Sequence, residues 1–372
     1  MRVVVVGAGV VGLAVSRALL RRGCGVTCLE ATVPMAARSA GSTHLFRIAH
    51  ADPEQARLAV RSEWWWREWT AEYSSLFVRR REDRLAPYRR RRGPHLIYRH
   101  ELVVSGPDLE RWDRAMSMAD SVDGPHPERL PPIAPPPTQG YNDSFSGLRD
   151  RRACVIDGAA TSRYLRSVVG SNLRIERVTR IEPAADSVTV WTDAGRYDAD
   201  HVVIAAGEGT RVLARQAGIG IPGALDHRVR FTFALRYRED LPRNWLDHRQ
   251  TWQAGRPGVL FDQHLSGDKD RWAITVTFTK GLPWQVDRDV AITRSLEAAR
   301  GYLRENMRGV GREPLEIVHG SVIAGIGEEV YRRRSGCVTA IWGNELFMHA
   351  PAIGHEVAAD LCHDTDRAVP IA

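Results

Sequence analysis

Val3-Val4-Val5-Val6-Gly7-Ala8-Gly9-Val10-Val11-Gly12 opens the chain and decides its fold. Four apolar residues in a row make a short run of the length and character of a buried parallel strand. The glycine turn follows at once, and then a helical apolar pattern through Leu13, Val15, Ala18, Leu19 and Leu20. A second β-rich run, Gly25 to Leu29, ends in Glu30, eighteen residues after Gly12. Strand, GxGxxG, helix, strand and acid stand in the order that binds a dinucleotide. Gly7 permits the tight turn, Gly9 lets a pyrophosphate approach the backbone, and Gly12 lets helix and strand pack closely. The helix start offers N–H groups and a positive dipole end to the phosphates. Glu30 is placed to accept from ribose hydroxyls and to repel a 2′-phosphate, which disfavours NADP. The alternative is a cofactor-free core of the same shape.

The 372 residues suffice for two domains, and 43% hydrophobic content supports an ordinary core. No apolar run reaches eighteen residues, so no membrane span is expected. The strand beginning at residue 3 leaves no room for a signal peptide ahead of it. Five cysteines (Cys24, Cys28, Cys154, Cys337, Cys362) lack metal spacing, and Cys24 with Cys28 forms CxxxC, neither a redox nor a zinc motif. No metal is expected, and the expected compartment is a reducing cytoplasm. Net charge is +7, and of the 52 basic residues only Lys269 and Lys280 are lysine. That bias fits a GC-rich genome. Arg79-Arg80-Arg81 and Arg89 to Arg92 read as a solvated or acid-paired surface, because no helix-turn-helix or finger pattern accompanies them. Attraction of an anionic substrate stays open.

Along the chain, Gly41-Ser42-Thr43 before His44 suggests backbone running close to something bulky. A helix is predicted over 53–73, with Trp64, Trp65, Trp66 and Trp69 read as core packing ahead of an aromatic cage. Short strands are predicted at 96–98 and 102–104, and a proline-rich surface connection at 131–137. A helix at 160–169, a strand at 173–178, a hairpin of 187–192 with 195–197, a buried strand ending at Ala206-Gly207 and a helix at 210–217 come next. β-Rich runs follow at 228–237, 258–261 and 272–279, with Ser266-Gly267-Asp268-Lys269 as a turn. The chain then reads as a helix at 290–307, a strand at 337–342 closed by Gly343, and a helix at 351–361. The expectation is an α/β chain with a Rossmann-type domain in segments 1–75, 151–218 and 319–372. A mixed-sheet α+β substrate domain takes 76–150 and 219–318.

These residues resemble the family of FAD-dependent amine oxidoreductases that includes monomeric sarcosine oxidase, N-methyltryptophan oxidase, glycine oxidase and D-amino acid oxidase. The resemblance covers most of the chain. It is strongest from the fingerprint to Glu30, over 41–50, from Asp157-Gly158 through Gly207, and over 343–356. It implies that Gly7, Gly9 and Gly12, flanked by Val10 and Val11, meet the pyrophosphate, and that Glu30, beside Ala31, meets the adenosine ribose. Ser42, Thr43 and His44 would lie along the flavin. Val178 would contact the adenine side through its backbone, and Ala206 and Gly207 would pass close to the cofactor. Gly343 and the backbone of Leu346, Phe347 and Met348 would approach the pyrimidine end of the ring.

The chain departs from the family at several of these places. Sarcosine oxidase-like members carry arginine where His44 stands, and a second arginine, matched by Arg47, binds the substrate carboxylate. A salt bridge at a domain junction is the alternative role for Arg47. The lysine that is the family's second carboxylate ligand is Met348 here, which favours a larger or less acidic amine. The strand 272–278 lacks the family's flavin-facing lysine, so the oxygen step is handled otherwise or the enzyme is a dehydrogenase; Arg271 and His44 are the candidate substitutes. Residues 319–323 hold no cysteine, which implies noncovalent FAD. The implied reaction is oxidation of the C–N bond of a small amine or amino-acid-like substrate to an imine, with His44 and Arg47 as catalytic residues. Arg47, Met348 and His349 would be the substrate contacts, and Trp342 is a weaker candidate. O2 would serve if the enzyme is an oxidase. The alternatives are a flavin monooxygenase or desaturase in natural-product tailoring, and an inactive flavin-binding module. No nucleic-acid or membrane partner is expected, and the chain is expected as a monomer or homodimer.

Overall fold

The computed structural model describes residues 1–81, 95–105, 109–118, 127–133, 145–235, 244–248, 258–266, 270–307, 309–324 and 330–366. The chain divides into two compact units: 1–40 with 161–223 and 325–372, and 41–160 with 224–324.

The first unit is built on a six-stranded sheet. Its order is Val330–Ser335, Val338–Gly343, His201–Ile204, Arg2–Val6, Gly25–Glu30, Leu173–Ile175. The five strands from Val338–Gly343 onward run parallel, and Val330–Ser335 pairs antiparallel at the edge. Val3 to Val6 and Val202 to Ile204 are buried throughout, as a strand covered on both faces requires. The helices Val10–Arg21 and Leu346–Asp366 pack on one another, so closely that a Cβ on Gly354 would stand 2.6 Å from the Ala14 carbonyl carbon. A three-stranded antiparallel sheet, Val178–Pro183, Val188–Thr192 and Arg196–Ala199, completes the unit.

The second unit carries an eight-stranded mixed sheet. Its order is Val310–Ile323, Leu225–Leu235, Arg271–Phe278, Val259–Leu265, Asn244–Asp247, Leu102–Ser105, Phe145–Asp150, Glu128–Ile133. Only the pairing of Asn244–Asp247 with Leu102–Ser105 is parallel. Helix Arg288–Asn306 covers one face through Ala298, Ala299, Tyr302 and Leu303, packed on Val229, Phe231, Phe233, Phe261, Trp272 and Ile274. A smaller sheet joins Thr43–Phe46, Cys154–Asp157 and Ile97–Arg99.

Several boundaries differ from the sequence expectation. Residues 41–75 and 151–160 belong to the second unit, because Thr43–Phe46 pairs with Cys154–Asp157. The expected strand at 173–178 is two strands. Arg177 turns the chain between them, its N–H donating to the Asp193 carboxylate and its carbonyl accepting from the Asp193 N–H, so Leu173–Ile175 joins one sheet and Val178–Pro183 starts another. Pro131 and Pro132 lie in the strand Glu128–Ile133, at the sheet edge and at a register shift, where missing N–H groups are tolerated; residues 134–137 lie outside the described residues. The last helix starts at Leu346, not Pro351. Pro351 sits inside it with no N–H for the Phe347 carbonyl, and buried Met348, Ala350, Ala352 and Ile353 hold the turn. The helix expected to end at residue 73 runs Pro53–Arg81. Its Trp66 and Trp69 are 1% exposed and meet edge-on at 5.1 Å as core, while Trp64 is 55% exposed. Arg89 to Arg92, the side chains of Arg79 to Arg81, and Gly267 to Lys269 lie outside the described residues. Among the described residues, no helix is long and apolar enough to cross a membrane.

Candidate functional site

In the first unit the opening turn is shaped by backbone crowding. Gly7 has φ +100°, and a Cβ there would stand 2.5 Å from the Ala205 carbonyl oxygen. A Cβ on Gly12 would stand 1.8 Å from the Gly7 carbonyl oxygen, so the helix start lies directly on the turn. Gly9 is different: the nearest atom to its Cβ position is Ser39 Oγ, at 3.2 Å. Its φ of −69° is open to any residue. Room on that side of Gly9 is what a diphosphate needs.

Ser39 Oγ accepts from the Val10 N–H at 3.0 Å. The helix has no acid in its first turn, and its start carries the positive dipole end that favours an anion. Glu30 accepts from the Ala8 N–H at 2.8 Å on one oxygen and from the Thr32 N–H at 3.1 Å and hydroxyl at 3.5 Å on the other. These bonds aim the carboxylate, and its remaining lone pairs can take ribose hydroxyls. The residues present therefore fit the ADP half of a dinucleotide. Buried Val10 and Val11 pack the helix start, and Ala31 is exposed just after Glu30.

Ala206 and Gly207 follow the strand His201–Ile204, where Gly207 takes φ +59° with open space around it. Val178 begins its strand opposite Thr192. Gly343 at φ 152° and Glu345 at φ 53° make a sharp strand-to-helix corner. Leu346, Phe347 and Met348 thus form a helical first turn, whose N–H groups point out of the helix end. Arg38 donates to the Gly343 carbonyl at 3.0 Å. The side chains of Met348 and His349 are buried, at 2% and 0% exposure. Trp342 stacks on Tyr331 at 5.6 Å.

In the second unit, strand alternation sorts the chemistry. Leu225–Leu235 sends Val229, Phe231 and Phe233 into the core under the helix and Arg228, Arg230 and Thr232 to the opposite face. Val259–Leu265 likewise buries Val259, Phe261 and Leu265 and turns Asp262 and His264 to the polar face. Arg271–Phe278 contributes Ala273 and Thr275 there; Thr275 pairs with both Arg230 and Asp262, and Ala273 with His264.

Two clusters form on this face. Arg230 Nη1 donates to His44 Nδ1 at 2.9 Å. A guanidinium only donates, so that bond places the imidazole proton on Nε2. Glu316 accepts from Ser42 N at 3.1 Å, Ser42 Oγ at 2.9 Å and Thr232 Oγ1 at 3.2 Å. Burial pushes Arg230 down to about 10, against the opposing charge of Glu316. Burial, with Arg230 adding to it, pushes His264 down to about 3, so it is neutral. Gly41, at φ +105°, admits this arrangement, since a Cβ there would stand 2.1 Å from Arg230 Nη2.

In the second cluster Asp262 takes Arg228 at 2.8 Å on one oxygen and His248 Nε2 at 2.9 Å on the other. Burial opposes the carboxylate, but the His248 bond and the charges of His248, Arg228 and Arg47 hold it below the usual range. Arg47 is 3% exposed. It donates to the Ala49 carbonyl and to His50 Nδ1 and lies 5.2 Å from the Trp112 ring. The segment after Arg47 is pinned by fully buried Asp150, which accepts from Ile48 and Ala49 N–H at 2.7 and 3.0 Å and from Arg152 and Ala153 N–H at 2.8 and 3.1 Å. Thr43, in the same strand as His44, is buried and directs its hydroxyl to the Leu265 carbonyl at 3.5 Å. Arg271 opens its strand beside Asp270, 3.8 Å away.

Sequence reasoning missed Arg228, Arg230, Asp262, His248 and Glu316. The signal was present in Arg228-Val229-Arg230-Phe231-Thr232-Phe233, a strict alternation of polar and apolar residues that marks one functional face. Among the described residues no group of three or more His, Cys, Asp or Glu could hold a metal ion.

No curated protein matches the sequence. Solved structures do resemble it. NikD, an amino acid oxidase essential for nikkomycin biosynthesis, is 20% identical with a TM-score of 0.79, over 99% of this chain and 95% of that one. Glycine oxidase from Geobacillus kaustophilus is 15% identical with a TM-score of 0.69, over 100% and 97%. L-proline dehydrogenase from P. horikoshii is 15% identical with a TM-score of 0.69, over 98% and 93%. At such identities these likenesses establish the fold, a Rossmann-type domain with a mixed-sheet partner. The family model of FAD dependent oxidoreductases (DAO) matches residues 2–310. With the glycine turn and its acid in place, that match identifies the chain as a member of the FAD-dependent oxidoreductase (DAO) family.

Proposed function

We propose that the protein oxidises the C–N bond of a small amine or amino-acid-like substrate to an imine, with FAD held noncovalently. The observation that carries the reading is the polar face itself, where the buried guanidinium of Arg230 donates to His44 Nδ1 at 2.9 Å. A guanidinium suits a substrate carboxylate, which it can take through charge-assisted, forked bonds. Arg230 thus adds a second cation to Arg47 for substrate recognition, in a chain that has Met348 where relatives keep lysine. FAD, when bound, supplies the two-electron acceptor.

The chain's own residues divide the remaining work. The Gly7–Gly12 turn and Glu30 hold the nucleotide half, and the first turn at 346–348 offers N–H donors to the ring's pyrimidine end. His44, with its proton held on Nε2 by Arg230, presents a hydrogen-bond donor for charge that develops during the reaction. Arg47 and Arg230 orient the substrate carboxylate, and the Asp262 carboxylate on the same face is a counter-charge for a substrate that arrives as an ammonium. Glycine oxidase, L-proline dehydrogenase and NikD, by their names, act on amino-acid-like compounds, which supports this substrate class.

The test is an anaerobic screen of amines and amino acids for bleaching of the bound flavin, with hits repeated in air to separate oxidase from dehydrogenase. A flavin that no amine bleaches sinks the reading. A second reading, a monooxygenase or desaturase, is favoured by one observation: Ala273 and Thr275 stand on the polar face of a strand that has no lysine. Consumption of NADPH coupled to hydroxylation of a substrate would select it.

A further inference from the structure

The helices Val10–Arg21 and Leu346–Asp366 run side by side in the same direction. Ala14 meets Gly354 within the body of both helices, and Cys24 Sγ, just beyond the end of the first helix, lies 3.5 Å from Cys362 Sγ in the last part of the second. Each follows a strand of the parallel part of one sheet, so their N-termini, the nucleotide turn and the 346–348 turn, open on the same sheet edge. Neither cysteine is in a disulfide; Cys24 is 9% exposed and Cys362 half-buried. The other three cysteines are buried elsewhere, with Cys337 directed to the Ala184 and Ser187 carbonyls.

We propose that Cys24 and Cys362 form a reversible disulfide, a redox staple that locks together the two helices framing the cofactor cradle. The inference is independent of the substrate reading. A disulfide needs an S–S distance near 2 Å, so the sulfurs must close by about 1.5 Å. Cys24 stands between Gly23, at φ +76° with open space around its Cβ position, and Gly25, and this backbone can give by that amount.

The oxidant is hydrogen peroxide. The more exposed Cys362 thiolate attacks one peroxide oxygen, giving a sulfenic acid and releasing hydroxide. The Cys24 thiolate then attacks the sulfenyl sulfur and expels a second hydroxide, and both hydroxides take up the thiol protons as water. Two thiols and one peroxide become one disulfide and two waters. Burial and the neighbouring Cys24 push the Cys362 thiol up to about 11, so the reaction quickens as pH rises towards that value.

The test uses the full-length holoprotein, reduced and then exposed to excess peroxide, with remaining thiols alkylated. The expected result is loss of two of the five thiols, a mass lower by about 2 Da, and a non-reduced peptide joining residues 24 and 362. Dithiothreitol should restore both thiols. Because the bond joins residues 338 apart, the oxidised form should melt, and release its flavin, about 5 °C higher. Cys362→Ser and Cys24→Ala should each abolish the shift and the joined peptide. Five thiols surviving, sulfinic acid at Cys362 without a crosslink, a bond between two chains, or a crosslink that leaves the melting temperature unchanged would each overturn the proposal.

Discussion

Gly9 and Gly12 are both fingerprint glycines, yet the structure gives them different failures on substitution. At Gly12→Ala the new Cβ would stand 1.8 Å from the Gly7 carbonyl oxygen. Ordinary contact is above 3 Å, the Cβ is fixed by the helix backbone and the oxygen belongs to backbone, so the turn must open by more than 1 Å. Overpacking of that kind costs about 1–3 kcal/mol or more of stability, with or without cofactor. At Gly9→Ala the backbone angles suit alanine, and the one close atom is the Ser39 hydroxyl oxygen at 3.2 Å, a side-chain atom that need shift by only a few tenths of an ångström. The apoprotein should lose about 1 kcal/mol, the difference between glycine and alanine at a helix cap.

The flavin, however, would lose its approach to the helix start. If two charge-assisted N–H bonds at about 1.5 kcal/mol each are weakened, binding falls by about 3 kcal/mol, or roughly 100-fold. The assays are urea denaturation of apoprotein and FAD titration followed by flavin fluorescence. Gly9→Ala binding FAD as tightly as the parent would refute the placement of the diphosphate. Gly12→Ala apoprotein as stable as the parent would refute the packing argument.

Other consequences can be checked alongside. Asp150→Asn places an amide against buried backbone N–H donors and should destabilise the second unit by about 2–4 kcal/mol in urea melts, where a loss under 1 kcal/mol would show the four bonds to be dispensable. Arg230→Met should leave FAD content unchanged and raise KM at least tenfold for any carboxylate-bearing amine that bleaches the flavin; equal KM values would remove Arg230 from substrate binding. His264 stays neutral in the fold while the unfolded chain protonates it near its ordinary value, so the unfolded state binds more protons below about pH 6.5. Its contribution is therefore present above about pH 6.5 and is lost as pH falls towards about 3. His264→Asn should flatten the decline of stability with acid over that window, and an unchanged slope in denaturation at a series of pH values would contradict it.

The first unit was legible because its site is made of backbone. Gly7 at φ +100° and Gly12 against the Gly7 carbonyl can be only glycine, so geometry is written into residue type over six consecutive positions. The second unit hides its chemistry in pairing. His44 meets Arg230, 186 residues away, and Glu316 meets Ser42, 274 residues away. Nothing local to either residue foretells the partner. Arg47 was legible as a cation, but not that Trp112 and the Ala49 carbonyl would hold it. The helix start at Leu346 was missed for a related reason. Pro351 reads locally as a first-turn residue, and the burial that overrides it comes from the rest of the unit.

That contrast bears on how the substrate class could change in this fold. A diphosphate cradle built from glycine backbone tolerates little substitution, and the central strands that carry it, Arg2–Val6 and His201–Ile204, are buried over almost their whole length. The polar face of the second unit obeys other limits. Its strands are fixed from the opposite side, where Phe231, Phe261, Trp272 and Ile274 pack on helix Arg288–Asn306, so positions 230, 262, 264, 273 and 275 can vary without disturbing that core. Arginine at 230 is nevertheless not a free choice, because it requires glycine at 41 and imidazole at 44 in the same arrangement. The three positions should therefore exchange as a set. Arg230→Met, which removes the donor to His44 Nδ1, should release the His44 tautomer and weaken carboxylate binding together, and an NMR spectrum of His44 unchanged by that substitution would break the coupling between them.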